Sequence, residues 1–211
     1  VRSLAVLLML CGPALAFTAT PSEVQRQQAI SEGQALARKH NGYPVKDYLL
    51  YSVADAYTLT PDEGSVEAVQ LATPLERTRW GSYFLTIQGK PLTAEAVRQQ
   101  AGLAAGHLAV IVYAHSQDGG AKDQDFLKDL GPMHLILGGR TLTPTGITRS
   151  GASLNNYKDG GGQVVFRWTD ALSATFDLSS LGETTTAQGL LRFTDATGKA
   201  FDLPVNLGKV Q

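Results

Sequence analysis

One cysteine stands among the 211 residues, Cys11, and it falls inside an apolar N-terminal run. The body of the chain can therefore form no disulfide and offers no thiolate for metal or nucleophilic chemistry. A chain without covalent staples must hold itself by burial, and one of this length buries roughly 70% of its unfolded surface, which suffices. Charge is sparse and even: 18 Lys and Arg face 19 Asp and Glu, a net −1, with the signs interspersed. That pattern excludes the basic stripe of a nucleic-acid binder and the polybasic cluster drawn to anionic lipid. Past the leader no apolar run approaches the roughly 20 residues of a membrane helix, so no transmembrane segment is expected in the mature chain. Reaction motifs are missing as well. The sequence holds no Gly-x-Ser-x-Gly elbow, no Ser-x-x-Lys, no His-Glu-x-x-His and no phosphate loop with its Lys-Ser/Thr pair.

What is present begins with an address. Arg2, the apolar stretch 4–10, Pro13 and the close on Ala14-Leu15-Ala16 read as a secretory signal peptide over residues 1–16, cut before Phe17. The expected location is extracytoplasmic: periplasm, cell surface or medium. Val1 in place of Met fits a bacterial frame read from an alternative start codon, or a few missing residues. Cys11 offers another fate, acylation and retention as a lipoprotein N-terminus, but Leu10 occupies the position where a small residue is normally needed.

Residues 17–45 read as an N-terminal helix and linker. Thr20 is the expected N-cap, with Pro21 at the first helical position and Glu23 closing a capping box, and the helix runs to Lys39 before Asn41-Gly42. Its apolar stripe is thin, and the mid-helix Gly33 argues for a surface position. Residues 46–211 read as a β-rich domain. Strands are expected over 48–59, 65–72, 79–88, 107–116, 133–137, 140–143, 147–150, 163–169, 172–178, 187–193 and 199–207. Two short helices interrupt them, one over 94–104 capped by Thr93 and one over 123–130. The strand at 107–116 is apolar on both faces, which places it in the middle of a covered sheet. Gly138-Gly139 has the composition of a two-residue hairpin turn. Residues 150–162 read as a polar, glycine-rich loop.

Short strands at regular intervals with turn residues between them predict a mainly β fold, α+β by count: an antiparallel β-sandwich with an N-terminal helix and one or two inserted helices. Over 79–207 the strand spacing resembles that of immunoglobulin-type sandwiches, which implies an interaction or spacer module. Trp168 is the candidate for the buried tryptophan of that core.

Candidate sites are few. Asp118, Asp123 and Asp125 lie among glycines, but their spacing departs from a calcium loop and reads as a solvated turn. Gly160-Gly161-Gly162 has no following lysine or helix and reads as a hairpin loop. Glu76, Arg77 and Arg79 beside Trp80 and Tyr83 suggest a carbohydrate or partner surface, or simply the wet face of a strand. The four histidines are His40, His107, His115 and His134. His107 and His115 share a strand face but would stand about 27 Å apart at full extension, too far for one metal ion. His107, His115 and His134 are thus metal candidates that are not expected in one site. Four histidines on a secreted β-fold resemble the copper/zinc superoxide dismutases, although the His-x-His pair of that family is missing. The expectation is a binding or structural component of a bacterial envelope that needs no cofactor and meets an envelope protein through an edge strand, the 150–162 loop or the N-terminal helix. The alternative is a secreted copper oxidoreductase.

Overall fold

A computed structural model describes residues 19–39, 42–60, 63–181 and 188–209. The leader read at residues 1–16, Cys11 within it, and His40 lie outside the described residues. Among those described, the chain is mixed α+β, with three α-helices and two antiparallel sheets. Both sheets have free edges rather than closing into barrels, and the mixed α+β pairing does not establish the immunoglobulin-type sandwich expected from strand spacing.

The larger sheet, A, is ordered β1 (Leu49–Ser52), β2 (Val66–Ala72), β3 (His107–His115), β8 (Val164–Asp177) and β6 (Gly146–Arg149), with β7 (Ser153–Lys158) also paired to β8. Sheet B is ordered β10 (Ala200–Asn206), β9 (Gln188–Thr194), β4 (His134–Leu137) and β5 (Arg140–Leu142). As its two apolar faces require, β3 lies inside sheet A between β2 and β8. Gly138 and Gly139 take φ of 56° and 77° and close the β4–β5 hairpin, the conformation a primed turn demands.

Alternate residues of each sheet feed one apolar cluster. Leu71, Val110, Val112, Ala174 and Phe176 come from sheet A, and Leu135, Leu191, Phe193 and Phe201 from sheet B. Tyr51 meets Phe201 edge-on across the two sheets with ring centroids 5.2 Å apart. A polar clamp sits at one end of this core. The buried Asp195 carboxylate, in the β9–β10 turn, accepts the Ser65 backbone N–H at 2.7 Å and the Thr197 and Lys199 N–H groups at 2.8 and 2.9 Å.

Several expectations need correction. Residues 79–88 are not a strand but most of helix α2 (Pro74–Ile87). The reason was available locally: the Thr73 hydroxyl accepts the Glu76 N–H at 3.1 Å and Pro74 occupies the first turn, the same start signal expected at Thr20. The spacing of Trp80, Tyr83 and Phe84 is then that of one helix face. Second, residues 153–158 of the expected loop form strand β7. Third, the strands expected at 163–169 and 172–178 are one 14-residue strand, β8. Asp170 looked like a break, yet its carboxylate takes the Ser150 hydroxyl and the Gly151 and Ala171 N–H groups within 2.9 Å, with Arg149 Nε alongside. Fourth, the helix expected at 123–130 is two short 3-10 turns, Ala121–Asp123 and Phe126–Asp129.

Helix α1 (Glu23–Arg38) starts two residues later than its expected cap. Ser22 is the N-cap, in a reciprocal box with Gln25. Ala29, Gly33 and Ala37 face α2, and Gly33 is there for contact rather than exposure: a Cβ at that position would stand 2.3 Å from the Arg79 carbonyl oxygen. Ser82 donates to the Ile30 carbonyl at 2.7 Å, and Arg79 pairs with Glu32 at 2.7 Å. Helix α3 (Ala94–Ala101) keeps its Thr93 cap and packs on α2, where Gly81 lies close to the Val97 carbonyl and the Ala101 N–H.

Under this helical layer lies Glu76, fully buried, with neither carboxyl oxygen hydrogen-bonded. Burial pushes its pKa up to about 7, against Arg77, Tyr43 and Arg79, which favour the charged form. The raised value means the folded state holds a proton that the unfolded chain has released, so stability present at pH 4.5 is lost as pH rises through about 7. Glu76→Gln is expected to abolish that dependence and to exceed the wild type at pH 8 by up to roughly 3 kcal/mol. Urea unfolding at pH 5 and pH 8 measures it, and equal losses in both proteins would contradict the assignment.

Candidate functional site

The β7–β8 hairpin organises the surface with the most chemistry. Strand β8 pairs with β3 through residues 169–177, while its first half pairs with β7, Ser153 opposite Thr169 and Lys158 opposite Val164. The turn between them is held by the Asp159 carboxylate, which accepts the Gly161 and Gln163 N–H groups at 2.9 and 2.8 Å. Because side chains alternate, the hairpin has two faces of different character.

One face continues the outer side of sheet A. A cleft of about 360 Å³ opens there, lined among others by Tyr57, Glu67, Tyr113, Asn155, Tyr157 and Thr169. The Tyr157 hydroxyl donates to Glu67 Oε1, and its ring lies 5.3 Å from that of His115. Burial raises the Glu67 carboxyl above its ordinary range, with Tyr157 and His115 opposing it. Burial and the Glu67 bond together raise the Tyr157 hydroxyl far above the ordinary tyrosine value. His115 Nδ1 lies 2.9 Å from the Ser116 carbonyl, a contact in which the ring nitrogen is the donor. Asn155 uses its amide nitrogen on the Ser153 and Thr169 hydroxyls.

The other face continues the core side of sheet A beyond the cluster shared with sheet B. Leu154, Val164 and Phe166 stand on it, 47%, 63% and 53% exposed. Trp168, in the same row, is half-buried against the core with its indole N–H donating to the Gly120 carbonyl at 2.9 Å. Trp168 thus packs at the end of the core without being the buried tryptophan expected for it.

The histidine candidates are not brought together. His107 and His115 occupy opposite ends of β3, and His107 Nδ1 lies 3.0 Å from the Ala105 carbonyl. His134 belongs to sheet B, opposite Arg192, with its Nδ1 buried and unpartnered. Among the described residues no group of three His, Cys, Asp or Glu side chains is placed to hold a metal ion. The aspartates of the 118–125 loop are used internally: Asp118 accepts the Gly120 N–H, Asp123 accepts the Asp118 N–H, and Asp125 pairs with Arg149. Glu76 and Tyr83 are buried in the helical layer, and the Arg77 guanidinium lies 3.8 Å from the centre of the Trp80 ring. A second cavity, about 530 Å³ and mostly apolar, opens at the edges of the two sheets among Leu130, Met133, Pro144, Ile147, Leu172 and Ala174.

Glu67, Tyr157 and Asn155 escaped sequence reasoning because 90 residues separate Glu67 from its tyrosine partner. The one legible hint was Tyr157, a lone aromatic in the polar stretch 153–158. No family model, no curated protein and no solved structure matches the chain.

Replacing Tyr157 by Phe removes the donor to Glu67 and is expected to raise the Glu67 carboxyl further while costing about 1–2 kcal/mol. Carboxyl-carbon NMR titration of Glu67 reads the first effect and urea unfolding the second. An unmoved Glu67 would show that the hydroxyl does not engage it.

Proposed function

We propose that the chain is a non-catalytic binding component of the bacterial cell envelope, exported by its leader and working through surface contact with a protein partner. On this reading the two sheets form an open sandwich whose core is complete without a ligand. The observation that carries it is the row Leu154, Phe166 and Val164, an apolar continuation of the core face whose side chains are exposed among the described residues. Exposed apolar residues scattered singly are ordinary, but a row on one face of a paired hairpin is the composition of an interface centre. The polar flanks Asn156 and Lys158, on the same face, match the rim such a centre needs.

The full chain carrying Val164→Ser with Phe166→Ser is expected to keep its thermal midpoint within a few degrees, since exposed substitutions change stability by roughly 0.5 kcal/mol or less. Affinity capture from envelope extract should recover a stoichiometric protein with the wild type and lose it with the double variant. Recovery of the same protein by both would overturn the contact surface. Export has its own check: mass spectrometry of the mature protein is expected to find Phe17 at the N-terminus, and a lipid on Cys11 would replace the soluble form with an anchored one.

A further inference from the structure

The cleft on the opposite face of the hairpin has a composition that the protein-contact reading does not use. Its size, about 360 Å³, lies at the lower end of small-ligand sites and accommodates one or two sugar rings. Glu67 stands on β2, Tyr113 on β3, Thr169 on β8 and Asn155 and Tyr157 on β7, so four adjacent strands hold them in fixed relative positions. Tyr57, on the segment that runs beside β7, is largely exposed and forms an aromatic wall.

The hydrogen-bonding inventory is lopsided. Tyr157 occupies Glu67 Oε1, and among the described residues Oε2 has no hydrogen-bond partner. The Asn155 amide nitrogen is committed to Ser153 and Thr169, which leaves its carbonyl oxygen to accept. The cleft therefore presents free acceptors, the exposed Tyr57 and Ser153 hydroxyls and aromatic surface, and its complement is a ligand rich in hydroxyl groups with a flat apolar face. No lysine or arginine lines it, and the nearest on that face, Arg167 opposite Asn155, stands outside it, so the lining favours neutral ligands over phosphate, sulfate and nucleotides. Its aliphatic lining is limited to alanines, which gives an acyl chain nothing to fill. Asp170, the other carboxylate at the rim, is neutralised by Arg149 and filled by the Ser150, Gly151 and Ala171 donors, so the site does not offer the paired free carboxylates a cation would select.

We infer that this cleft binds a neutral saccharide, its hydroxyls donating to Glu67 and Asn155 and one ring face lying against Tyr57. The polar groups are already tied into the sheet and move little on binding. This role does not depend on the apolar row, and the two can be separated.

The test is titration of the full chain, followed by NMR and calorimetry, with glucose, N-acetylglucosamine and their soluble β-linked oligomers, and with choline and inorganic phosphate as non-sugar probes. Saccharide binding is expected to shift the resonances of Asn155 and Tyr113 and to weaken about tenfold in each of Asn155→Ala and Tyr57→Ala, the effect of losing one good contact. Both positions are exposed, so the variants should melt with the wild type. The Val164→Ser, Phe166→Ser double variant should bind sugar unchanged. Absence of any saccharide response, binding of choline or phosphate alone, or sugar affinity that survives both cleft substitutions would overturn the inference.

Discussion

The alternation of β8 is the constraint on which the molecule depends. Fourteen residues long, it is paired to β3 on one edge and to β6 and β7 on the other, and every second side chain from Val164 to Phe176 faces the same way. Leu172, Ala174 and Phe176 enter the core, Asp170 anchors the bend after β6, and Trp168 seals the end of the apolar cluster. The intervening residues Thr169 and Ala171 form the floor beside the cleft. A slip of one residue would exchange these two sets, placing Arg167 and Ser173 toward the core and Phe176 outside, and the cost of burying those polar groups holds the register. Core, cleft and apolar row are thus three consequences of one strand's phase.

Because β8 is longer than the layer that covers it, its core face runs on into solvent as Phe166 and Val164. The outer face of sheet A is covered unevenly too. Toward the β2–α2 junction Gln70, Ala72 and Ala109 are buried beneath the helical layer, whereas toward β7 the same face lies open as the cleft. Tyr113 stands at the boundary, its hydroxyl donating to Gln70 at 3.2 Å. The helices therefore do more than decorate the sheet: they decide which part of it is open to solvent. Their close approach rests on small residues, Gly33 on α1 and Gly81 on α2, and on the Arg79 guanidinium, which reaches both Glu32 and the Tyr48 hydroxyl. Glu76 is the cost of that arrangement, a buried carboxyl in the first turn of α2 that suits the helix N-terminus but whose oxygens accept no hydrogen bond among the described residues.

Much of the strand inventory was legible because burial on one face imposes a period of two. The central position of β3, the Gly138-Gly139 hairpin and the Thr93 cap of α3 all follow from local physics. Misreadings fell where local signals competed. Trp80, Tyr83, Leu85 and Ile87 can be threaded onto an alternating pattern, and only the capping signal at Thr73-Pro74 distinguishes a helix. Ser153 to Lys158 has the composition of a loop and becomes a strand because β8 offers it an edge to pair with. Gly33 looked like a mark of exposure, and packing against α2 reversed its meaning.

By itself the sequence determined that the chain folds without disulfides and that it alternates into antiparallel sheets with a few capped helices. Those properties are local or compositional: a capping hydroxyl, a repeat of apolar side chains, a count of cysteines. Only the tertiary structure decided which of Glu67, Tyr157, His115 and Asn155 would meet, which face of the hairpin would lie open, and that His134 would stand on the other sheet from His107 and His115. Such groupings depend on strand order and register, which are set by the summed burial of both sheets and leave no mark on the few residues that form the site.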